Sequence, residues 1–367
     1  MHATAAVTPG EGQPFVLREV EIDDPRDDEV IVRMVGSGVC HTDLIVRDQW
    51  YPTPLPCVLG HEGVGVVEAV GSAVTGLAAG DPAVLTYDFC GLCANCRRGH
   101  PTYCVQFFER NFGGARIDGT SPISADGEPV GGRFFGQSSF ATHASATERN
   151  AIKVRDDAPL ELLGPLGCGV QTGAGGVLNV LGAEVGSSIV VFGAGAVGDS
   201  AIMAAAASGC STIVAVDLRA NRLALAEQLG ATHTVDASDV DDVVVAVKDA
   251  TGGGADYAID ATGSPKALRQ AVESLGHLGV CGLIGAPRLG TTAEIDMNDL
   301  MVPGKTLRGI VEGDSVPSVF IPQLIDMHAA GRFPFDRLVR TYPFTEIEQA
   351  AHDAEEGKTI KPVLTFG

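Results

Sequence analysis

The sequence lacks the features that place a protein in a membrane or outside the cell. Its first residues, MHATAAVTPGEGQPF, have neither the basic start nor the apolar core of a secretory signal. No segment approaches the roughly 18 unbroken apolar residues of a membrane span. The nine cysteines are spread through a long chain, unlike the dense disulfide frameworks of small secreted domains. We expect a reduced, cytoplasmic protein with no membrane partner, whose thiols are core residues or metal ligands.

Positive charge is also scarce. The 25 Lys and Arg residues face 46 Asp and Glu residues, which gives a formal net charge of −21. A chain with this balance repels the phosphates of nucleic acids and of anionic lipids, so neither is an expected partner. Internal repeats and low-complexity linkers are missing as well. What remains is a chain of 367 residues, long enough for two or three globular domains.

The hydrophobic pattern of the first part of the chain indicates short strands. Up to about residue 160, runs rich in β-branched residues alternate with Gly and Pro, as in EVIVRMVGSGVC and GVGVVEAVG. These runs predict an irregular, β-barrel-like domain. From Cys104 to about Gly136 the pattern gives way to Gly, Asp, Ser and aromatic residues, which predicts a long loop.

The pattern changes near residue 171. Apolar runs then alternate with helical stretches, as in SSIVVFGAGAVG, STIVAVDL and ADYAIDATG. Near-continuous Val, Ile and Ala runs separated by helices predict a parallel sheet that is buried on both faces. The predicted fold class is α/β, with a Rossmann doubly wound parallel sheet over residues 171–311. Residues 1–170 and 312–367 are assigned to the β-barrel-like domain, which ends on a strand in KPVLTF.

A glycine-rich turn predicts a dinucleotide site. Gly193, Gly195 and Gly198 form the motif GAGAVG, directly after the predicted strand SIVVF and at the start of a helix. Glycines at these positions let the backbone approach a pyrophosphate, and the free N–H groups of a helix start favour anions. Asp217 ends the next strand, where an acid accepts hydrogen bonds from the hydroxyls of an adenosine ribose. The alternative is a Gly-rich turn in a sheet without a cofactor.

The same acid favours NAD over NADP, because the charge of Asp217 would repel a 2′-phosphate. Arg219 and Arg222 weaken this interpretation, since a basic pair at this place can bind a phosphate. Arg222 lies early in the next predicted helix and can instead contact the ribose. NAD is therefore the expected cofactor, and NADP is the alternative that a comparison of kcat/KM distinguishes.

Four closely spaced cysteines give the most conspicuous metal signal. They lie in CGLCANCRRGHPTYC with the spacing C-x2-C-x2-C-x7-C, and they are Cys90, Cys93, Cys96 and Cys104. Four thiolates close a tetrahedral shell and leave no position for a substrate, which predicts a structural zinc site in a lobe over residues 90–104. An iron–sulfur cluster satisfies the same ligand count. A redox CxxC pair needs a thioredoxin-like context that is missing here. His100 lies inside the lobe but is not needed to complete the shell.

If that site is closed, catalysis must use other residues. GVCHTD contains Cys40, VLGHEGVG contains His61 and Glu62, and GPLGCGVQTG contains Cys168. Each of these residues alone is typical of a protein core. Together, two thiolates and one imidazole are a known composition for catalytic zinc, with a fourth position open to water or substrate.

These motifs carry a resemblance that extends over nearly the whole chain. The sequence resembles the zinc-dependent medium-chain alcohol dehydrogenases in GHEGVGVVEAVG, in CGLCANC with Cys104, in GCGVQTG before GAGAVG, and in the ribose acid Asp217. Within that family it is most similar to the bacterial aryl-alcohol (benzyl-alcohol) dehydrogenases. The segments that indicate this branch are CHTDLIVRDQWYP, SSFATHA, ELLGPLGCGVQTGAG and GKTLRGIVEGDSVPSVFIPQL. The match to the family is more specific than the match to the branch.

The resemblance implies a metal-binding role for each matching residue. Cys40, His61 and Cys168 would bind a catalytic zinc ion, and the four-cysteine lobe would bind a structural one, giving two zinc ions per subunit. The β-barrel-like domain would then be the catalytic domain. Asp43 would hold the His61 ring from behind, as metal-bound imidazoles usually require, and Glu62 would lie close to the metal.

The resemblance also implies how the proton and the coenzyme are handled. The Thr42 hydroxyl would pass the proton of the substrate onward. A His often stands five residues after the first zinc Cys in this family, but here that position is Ile45, so the end of the relay is open. The implied coenzyme-binding residues are His41, Thr172, Gly193, Gly195, Val197, Gly198, Asp217, Arg222 and Lys361. Of these, His41 and Lys361 would face the pyrophosphate, and Val197 would press on the nicotinamide.

The implied reaction is the reversible oxidation of a primary alcohol to its aldehyde, with hydride transfer to NAD. Trp50 and Tyr51 lie between the first two zinc ligands, where the family shapes its substrate pocket. Flat rings there suit an aromatic or allylic alcohol. The alternative is that both rings pack the barrel. Phe107, Phe108 and Phe112 are expected to anchor the long loop.

Two other functions are weighed against this one. An S-(hydroxymethyl)glutathione or other thiol-adduct dehydrogenase would need basic groups to hold an acidic thiol, which the acidic composition does not favour. A non-catalytic structural protein that binds the cofactor would not need Cys40, His61, Cys168 and Thr42 together. The family forms homodimers or homotetramers, so we expect a homo-oligomer that acts on a small-molecule alcohol or aldehyde.

Overall fold

The computed structural model describes all 367 residues, and they form two compact units. The first unit comprises Met1–Cys168, Val316–Asp326 and Asp336–Gly367, and the second comprises Gly169–Ser315 and Met327–Phe335. The predicted borders at 170/171 and 311/312 lie a few residues from these, but Met327–Phe335, which was predicted to belong to the β-barrel-like domain, groups with the second unit. Within the second unit, the Ser315 hydroxyl donates to the Gln171 side chain at 2.9 Å. This bond ties both ends of the segment 169–315 to each other.

Strands and helices are numbered in chain order. The β-strands are β1 (His2–Thr8), β2 (Val16–Ile22), β3 (Glu29–Gly38), β4 (Cys57–Val58), β5 (Gly63–Val70), β6 (Pro82–Leu85), β7 (Ile123–Ala125), β8 (Glu128–Val130), β9 (His143–Thr147), β10 (Ala151–Lys153), β11 (Ser188–Phe192), β12 (Thr212–Asp217), β13 (His233–Asp236), β14 (Ala255–Asp260), β15 (Leu275–Leu283), β16 (Thr306–Gly309), β17 (Val339–Pro343) and β18 (Lys361–Thr365). The α-helices are α1 (His41–Arg47), α2 (Ala94–Arg97), α3 (Phe107–Phe112), α4 (Leu160–Leu163), α5 (Gly169–Gly175), α6 (Ala196–Ser208), α7 (Ala220–Leu229), α8 (Val243–Ala250), α9 (Pro265–Glu273), α10 (Met297–Met301), α11 (Pro317–Ala329) and α12 (Ile347–Glu355). Short 3₁₀ helices lie at Pro101–Tyr103, Phe134–Gly136, Gly164–Gly167, Glu312–Asp314, Phe335–Leu338 and Phe344–Glu346, and a π-helix continues α5 over Gly176–Leu181.

Two sheets build the first unit. One has the strand order β4-β1-β2-β7-β8, and the other has the order β10-β6-β5-β3-β18-β17, with β9 also paired to β3. The only parallel pair in them is β17 with β18. In β3, Val30, Val32 and Met34 face one apolar cluster and Ile31 faces another, so the strand is covered on both sides. The predicted irregular β-barrel-like domain and its closing C-terminal strand are confirmed.

The predicted long loop between residues 104 and 136 is wrong in part. The segment contains the short helix α3 and the antiparallel hairpin β7–β8. Asp126 and Gly127 form the hairpin turn, both with positive φ (53° and 81°). An Asp-Gly pair between short strands favours this turn, because both residues tolerate the left-handed conformation. Because the segment is mostly polar, the Asp-Gly turn was not recognised as a hairpin from the sequence.

The second unit contains a six-stranded sheet of parallel strands with the order β13-β12-β11-β14-β15-β16. Ile189–Phe192 of β11 are all buried, which requires apolar cover on both faces of the sheet. This confirms the predicted Rossmann doubly wound sheet. The strand β13 was not predicted from the sequence, since HTVD is short and mostly half-exposed or exposed.

None of the helices combines the length and the apolar composition that a membrane crossing requires.

Candidate active site

Asp43 organises the first part of the site. Cys40 caps the start of α1, and its backbone N–H donates to Asp43 Oδ2 at 2.9 Å. The backbone N–H of Gly60 donates to Asp43 Oδ1 at 3.0 Å, and His61 Nδ1 is hydrogen-bonded to the same oxygen at 2.8 Å. Asp43 is fully buried. One carboxylate therefore fixes the backbone at Cys40 and the ring of His61 together.

The orientation of His61 identifies a missing partner. Because the Asp43 carboxylate accepts the Nδ1–H of the ring, Nε2 carries the free lone pair. Nε2 is buried and has no hydrogen-bond partner, which is rare for a buried polar atom. The ligand atoms of Cys40, His61, Glu62 and Cys168 all lie within 4.8 Å of one another. An imidazole nitrogen aimed at two thiols, with a carboxylate behind its other nitrogen, fits a zinc ion.

The electrostatics of this group favour a thiolate. A hydrogen bond with Cys168 and the nearby ammonium of Lys361 hold the pKa of the Cys40 thiol well below its usual range, although burial acts in the opposite direction. Thiolates, not thiols, are the metal-binding form of cysteine. Cys40 and Cys168 are both at least nine-tenths buried. Two such thiolates would neutralise the charge of a divalent ion, so the donor set and its charge fit zinc.

Glu62 is paired with a lysine from the other end of the chain. Lys361 Nζ donates to the two carboxylate oxygens of Glu62 at 2.8 and 2.9 Å, and both side chains are buried. Burial lowers the pKa of Lys361, but the charges of Glu62 and Cys40 outweigh it and raise that pKa above its usual value. In the structure the Lys361 ammonium therefore forms an ion pair with Glu62, beside the proposed metal ligands. A contact between Lys361 and a coenzyme pyrophosphate stays a prediction.

The four-cysteine lobe also has the dimensions of a metal site. The Sγ atoms of Cys90 and Cys96 are 3.9 Å apart, and those of Cys93 and Cys96 are 3.4 Å apart. Zinc with Zn–S distances of about 2.3 Å separates its sulfur ligands by about 3.8 Å in a tetrahedron. Hydrogen bonds from the backbone N–H groups of Cys96 and Val105 lower the pKa of Cys93 to about 6. The four sulfurs lie within 4.8 Å of one another, and His100 is not part of the group. This lobe fits a second zinc ion.

Aromatic rings extend from the His61 ring. The Phe135 ring lies 4.6 Å from the His61 ring, the Phe112 ring 5.2 Å from Phe135, and the Tyr51 ring 5.5 Å from Phe112. Of the predicted pair, Tyr51 joins this row, whereas the Trp50 ring makes an edge contact at 6.4 Å with His41. Phe135 was not predicted from the sequence as a residue of this site. It has a positive φ of 49°, which is strained for a residue with a bulky side chain and is often found at functional sites.

The dinucleotide motif has the predicted local structure. Gly195 caps the start of α6, and a Cβ at Gly198 would overlap the carbonyl oxygen of Gly193. Asp217 Oδ2 accepts the backbone N–H of Ala194 at 2.8 Å, so the acid at the end of β12 holds the turn in place. The turn thus leaves backbone N–H groups at a helix start beside a carboxylate, which fits a pyrophosphate and a ribose.

Comparisons with known proteins identify the family to which the chain belongs. A family model for zinc-binding dehydrogenases matches residues 196–329, and a model for the alcohol dehydrogenase GroES-like domain matches residues 26–156. The chain is 50% identical over 365 residues to a geraniol dehydrogenase from Castellaniella defragrans, covering 99% of this chain and 98% of that protein. The chain belongs to the zinc-dependent medium-chain alcohol dehydrogenases.

Solved structures show the same fold for this alcohol dehydrogenase. An alcohol dehydrogenase zinc-binding domain protein from Burkholderia ambifaria has a TM-score of 0.98 and 58% identity, covering 100% of this chain and 99% of that one. A benzyl alcohol dehydrogenase from Acinetobacter calcoaceticus has a TM-score of 0.97 and 51% identity, covering 100% of both chains. The resemblance proposed from the motifs is therefore confirmed at the level of the family.

In this zinc alcohol dehydrogenase, Thr42 is the polar side chain next to the ligand group. Its hydroxyl lies 3.9 Å from Cys40 Sγ and is half-buried. Ile45, at the position where a relay histidine is frequent, is 2% exposed and packs in the interior, so it offers no proton acceptor. The role of Thr42 in proton transfer stays a prediction.

The structure shows the local surroundings of the other predicted coenzyme residues. His41 is exposed in the first turn of α1. Thr172 is buried, with its hydroxyl 3.3 Å from the carboxylate of Glu312. Val197 is half-buried in the first turn of α6. Arg222 Nη1 lies 3.7 Å from Asp217 Oδ2. Their contacts with a coenzyme stay predictions.

A buried acid that the sequence analysis missed makes the stability of this enzyme depend on pH. Burial raises the pKa of the Asp199 carboxyl to about 8, against an opposing effect of Arg222. An aspartate in an unfolded chain has a pKa of about 3.9. Because the folded protein holds this proton more tightly, the contribution of Asp199 to stability falls as the pH rises from about 4 to about 8.

We therefore expect Asp199→Asn to stabilise the protein increasingly with rising pH, because the amide cannot ionise. The gain over wild type should grow by on the order of 1 kcal/mol per pH unit between pH 5 and pH 7. Urea unfolding of both proteins at pH 5, 6 and 7 measures this difference. A gain that is the same at all three values would contradict the prediction.

Proposed function

We propose that this zinc alcohol dehydrogenase oxidises a primary aromatic or allylic alcohol to its aldehyde, reversibly, with NAD as the hydride acceptor and two zinc ions per chain. The observation that carries the proposal is the unpartnered Nε2 of His61 inside the group formed with Cys40, Cys168 and Glu62. The names of two relatives support the substrate class. Geraniol is an allylic primary alcohol and benzyl alcohol an aromatic one, and proteins at 50% and 51% identity act on them by name.

Individual residues of the chain have distinct roles in the proposed reaction. Cys40, Cys168 and His61 would hold the zinc ion, which when bound acts as a Lewis acid and favours the deprotonated form of an alcohol. Asp43 keeps the proton on His61 Nδ1, so that Nε2 would be the atom that binds the metal. The Thr42 hydroxyl would accept the hydroxyl proton of the substrate while it releases its own proton onward, so that it relays the proton. NAD, when bound, would supply the acceptor for the hydrogen of the carbinol carbon, which would leave with both electrons of its C–H bond.

The aromatic row next to His61 supports a conjugated substrate. Phe135, Phe112 and Tyr51 present rings in succession from the imidazole outward. A flat phenyl or alkenyl group attached to the reacting carbon can pack against such rings by face or edge contacts. A saturated chain of the same length gains less from them. Geometry and relatives therefore support the same substrate class.

The coenzyme preference rests on Asp217. Its carboxylate ends β12 beside the glycine-rich turn and is bonded to that turn. A negative charge at this place accepts ribose hydroxyls and repels a 2′-phosphate. We therefore propose NAD, with Arg222 directed to the ribose.

A matched substrate panel tests this proposal. We expect kcat/KM with NAD to be at least about tenfold higher for geraniol than for citronellol, and for benzyl alcohol than for cyclohexylmethanol, since each pair differs by the unsaturation that the rings can contact. The same assay with S-(hydroxymethyl)glutathione tests the thiol-adduct alternative. Equal values within each pair, a preference for the glutathione adduct, or a higher value with NADP would contradict the corresponding part of the proposal.

We also propose a cytoplasmic homo-oligomer, a dimer or a tetramer. The edge strand β16 is exposed along its whole length, and Met297, Met301 and Val302 nearby in sequence are 81%, 70% and 75% exposed. Exposed strand edges and large apolar side chains are features of protein interfaces. All nine cysteines are free, which suits a reducing compartment. Light scattering on the purified protein measures the mass, and a monomer would contradict the oligomer.

A further inference from the structure

A cavity in the first unit is lined by five arginines. Its volume of about 310 Å³ is at the lower end of the range of about 300–1,000 Å³ that small-ligand pockets span. The arginines come from separate segments of the chain and are Arg26, Arg110, Arg116, Arg133 and Arg149. The chain has only 25 Lys and Arg residues and a net charge of −21, so one small cavity holds a fifth of its positive side chains. None of these arginines takes part in the proposed reaction.

Four acids also line the cavity, and each accepts a hydrogen bond from one of four arginines. The pairs are Arg26 with Asp118 (2.7 Å), Arg116 with Glu29 (2.8 and 2.9 Å), Arg110 with Asp88 (3.0 Å) and Arg149 with Asp28 (3.5 Å). Asp23 contacts Arg116 at 3.3 Å from outside the lining, where it is exposed and screened by water. The lining thus has five positive charges and four negative ones, and Arg133 is the arginine without a carboxylate of its own.

Arg133 is the most deeply buried of the five arginines, with a side chain that is 5% exposed. Its Nη1 donates to the Ser145 carbonyl oxygen at 2.9 Å and to Ser145 Oγ at 3.3 Å. Glu29 Oε1 lies 3.8 Å from the same nitrogen, too far for a hydrogen bond, and both oxygens of Glu29 already accept hydrogen bonds from Arg116. Burial lowers the pKa of Arg133, although the charges of Asp88 and Glu29 act in the opposite direction. The surroundings therefore do not fully replace the hydration that this guanidinium loses on burial.

We propose that this cavity binds a phosphate group, either as inorganic phosphate or as the phosphate of a small metabolite, with Arg133 as its principal anchor. Phosphate suits the cavity because its tetrahedral oxygens accept paired hydrogen bonds from guanidinium groups on several sides. It would also supply negative charge to the one arginine that has no carboxylate partner. A planar carboxylate offers two oxygens and a single charge, so it matches five arginines less well. The site is separate from the proposed reaction, since every lining residue belongs to the first unit and none is a proposed ligand of zinc or coenzyme.

Isothermal titration calorimetry with inorganic phosphate and with glycerol 3-phosphate tests this proposal. The titrations are made at pH 8 in about 0.15 M NaCl, with saturating NADH present so that its own pyrophosphate occupies the dinucleotide site. We expect wild type to bind at least one of the two compounds with a dissociation constant below about 1 mM. Arg133→Gln and Arg149→Gln should each weaken this binding at least about tenfold, because each removes one guanidinium from the cavity. Tighter binding of the ester would identify a phosphorylated metabolite as the source, and equal or tighter binding of inorganic phosphate would identify the free ion.

A matched control is Arg18→Gln. Arg18 lies in β2, outside the cavity, and forms an ion pair with Asp126 at 2.6 Å. This variant removes the same charge from the protein and should keep the wild-type dissociation constant, because exposed charges at a distance are screened by salt. If Arg133→Gln does not fold, Arg149→Gln still decides, since the Arg149 side chain is 36% exposed and its loss disturbs the interior little.

Three results would overturn the proposal and leave the proposed function intact. The first is that wild type binds neither phosphate compound. The second is that the folded cavity variants bind as tightly as wild type, which would place the binding elsewhere on the protein. The third is an equal loss of binding in Arg18→Gln, which would indicate a general effect of net charge.

Discussion

Replacing Cys168 with alanine is expected to lower kcat for benzyl alcohol by at least about a thousandfold while the protein stays folded. Cys168 supplies one of two thiols in the group with Cys40, His61 and Glu62. Without it, a zinc ion would keep one thiolate and one imidazole, and catalytic zinc sites use three protein ligands. Two neutralising charges would become one, so both the affinity for zinc and the activation of the alcohol are lost together.

We expect Cys168→Ala to have only a small effect on the stability of the fold. Removal of one buried sulfur atom costs about 1 kcal/mol, by analogy with small truncations in protein cores. Cys281→Ala is the matched control, because Cys281 is fully buried in the apolar cluster of the second unit and belongs to no ligand group. It should lose a similar amount of stability and keep its kcat. A Cys168→Ala protein with kcat within tenfold of wild type would contradict the ligand assignment.

Replacing Cys93 with alanine is expected to have the opposite effect. The stability of the protein should fall, while kcat per folded molecule is kept. Cys93 belongs to a group of four thiols and to no other polar site, so its loss should release one zinc ion and unfold the lobe around α2. The helix α2 contains no buried residue, so apolar packing does little to hold this part of the lobe. Small lobes of this kind fold on their metal. We expect the midpoint of thermal unfolding to fall by about 5–10 °C, which corresponds to several kcal/mol in a protein of this size.

Activity should fall in the Cys93 variant only as the folded fraction falls. Scanning calorimetry and metal analysis on the same preparation measure both effects, and kcat is referred to the folded protein. His100→Ala provides the control within the same lobe, because His100 is outside the ligand group and its variant should keep its zinc. A Cys93→Ala protein with wild-type stability, or with an immediate loss of kcat per folded molecule, would contradict a purely structural role.

Some parts of the site could be predicted from local sequence patterns and others could not. The difference is how far apart in sequence the residues of each part lie. The four-cysteine lobe could be assigned by spacing alone, because its ligands lie within 15 residues of chain, from Cys90 to Cys104. The Asp217 position followed from the regular length of a strand–turn–helix unit. Cys40, His61 and Cys168 are far apart in sequence, and local patterns give no reason to group them. Only the resemblance to a family did so before the fold was known.

Other features depend on tertiary contacts that periodicity cannot show. Asp199 stands in a helix of small apolar residues, where only the packing reveals that the carboxylate has no partner. Phe135 adopts a left-handed conformation that its residue type does not favour, so its place beside His61 could not be expected. The ion pair between Glu62 and Lys361 joins residues 299 positions apart. Each of these three features depends on tertiary contacts that a local sequence pattern does not show.

The central claim is that chemistry belongs to the Cys40, His61 and Cys168 group and not to the four-cysteine lobe. The most direct test is to measure zinc content and NADH formation from benzyl alcohol on the same sample of purified Cys168→Ala protein. The structure predicts the lobe zinc alone, one ion per chain, with a rate at least about a thousandfold below wild type. Two zinc ions per chain together with a wild-type rate would contradict it.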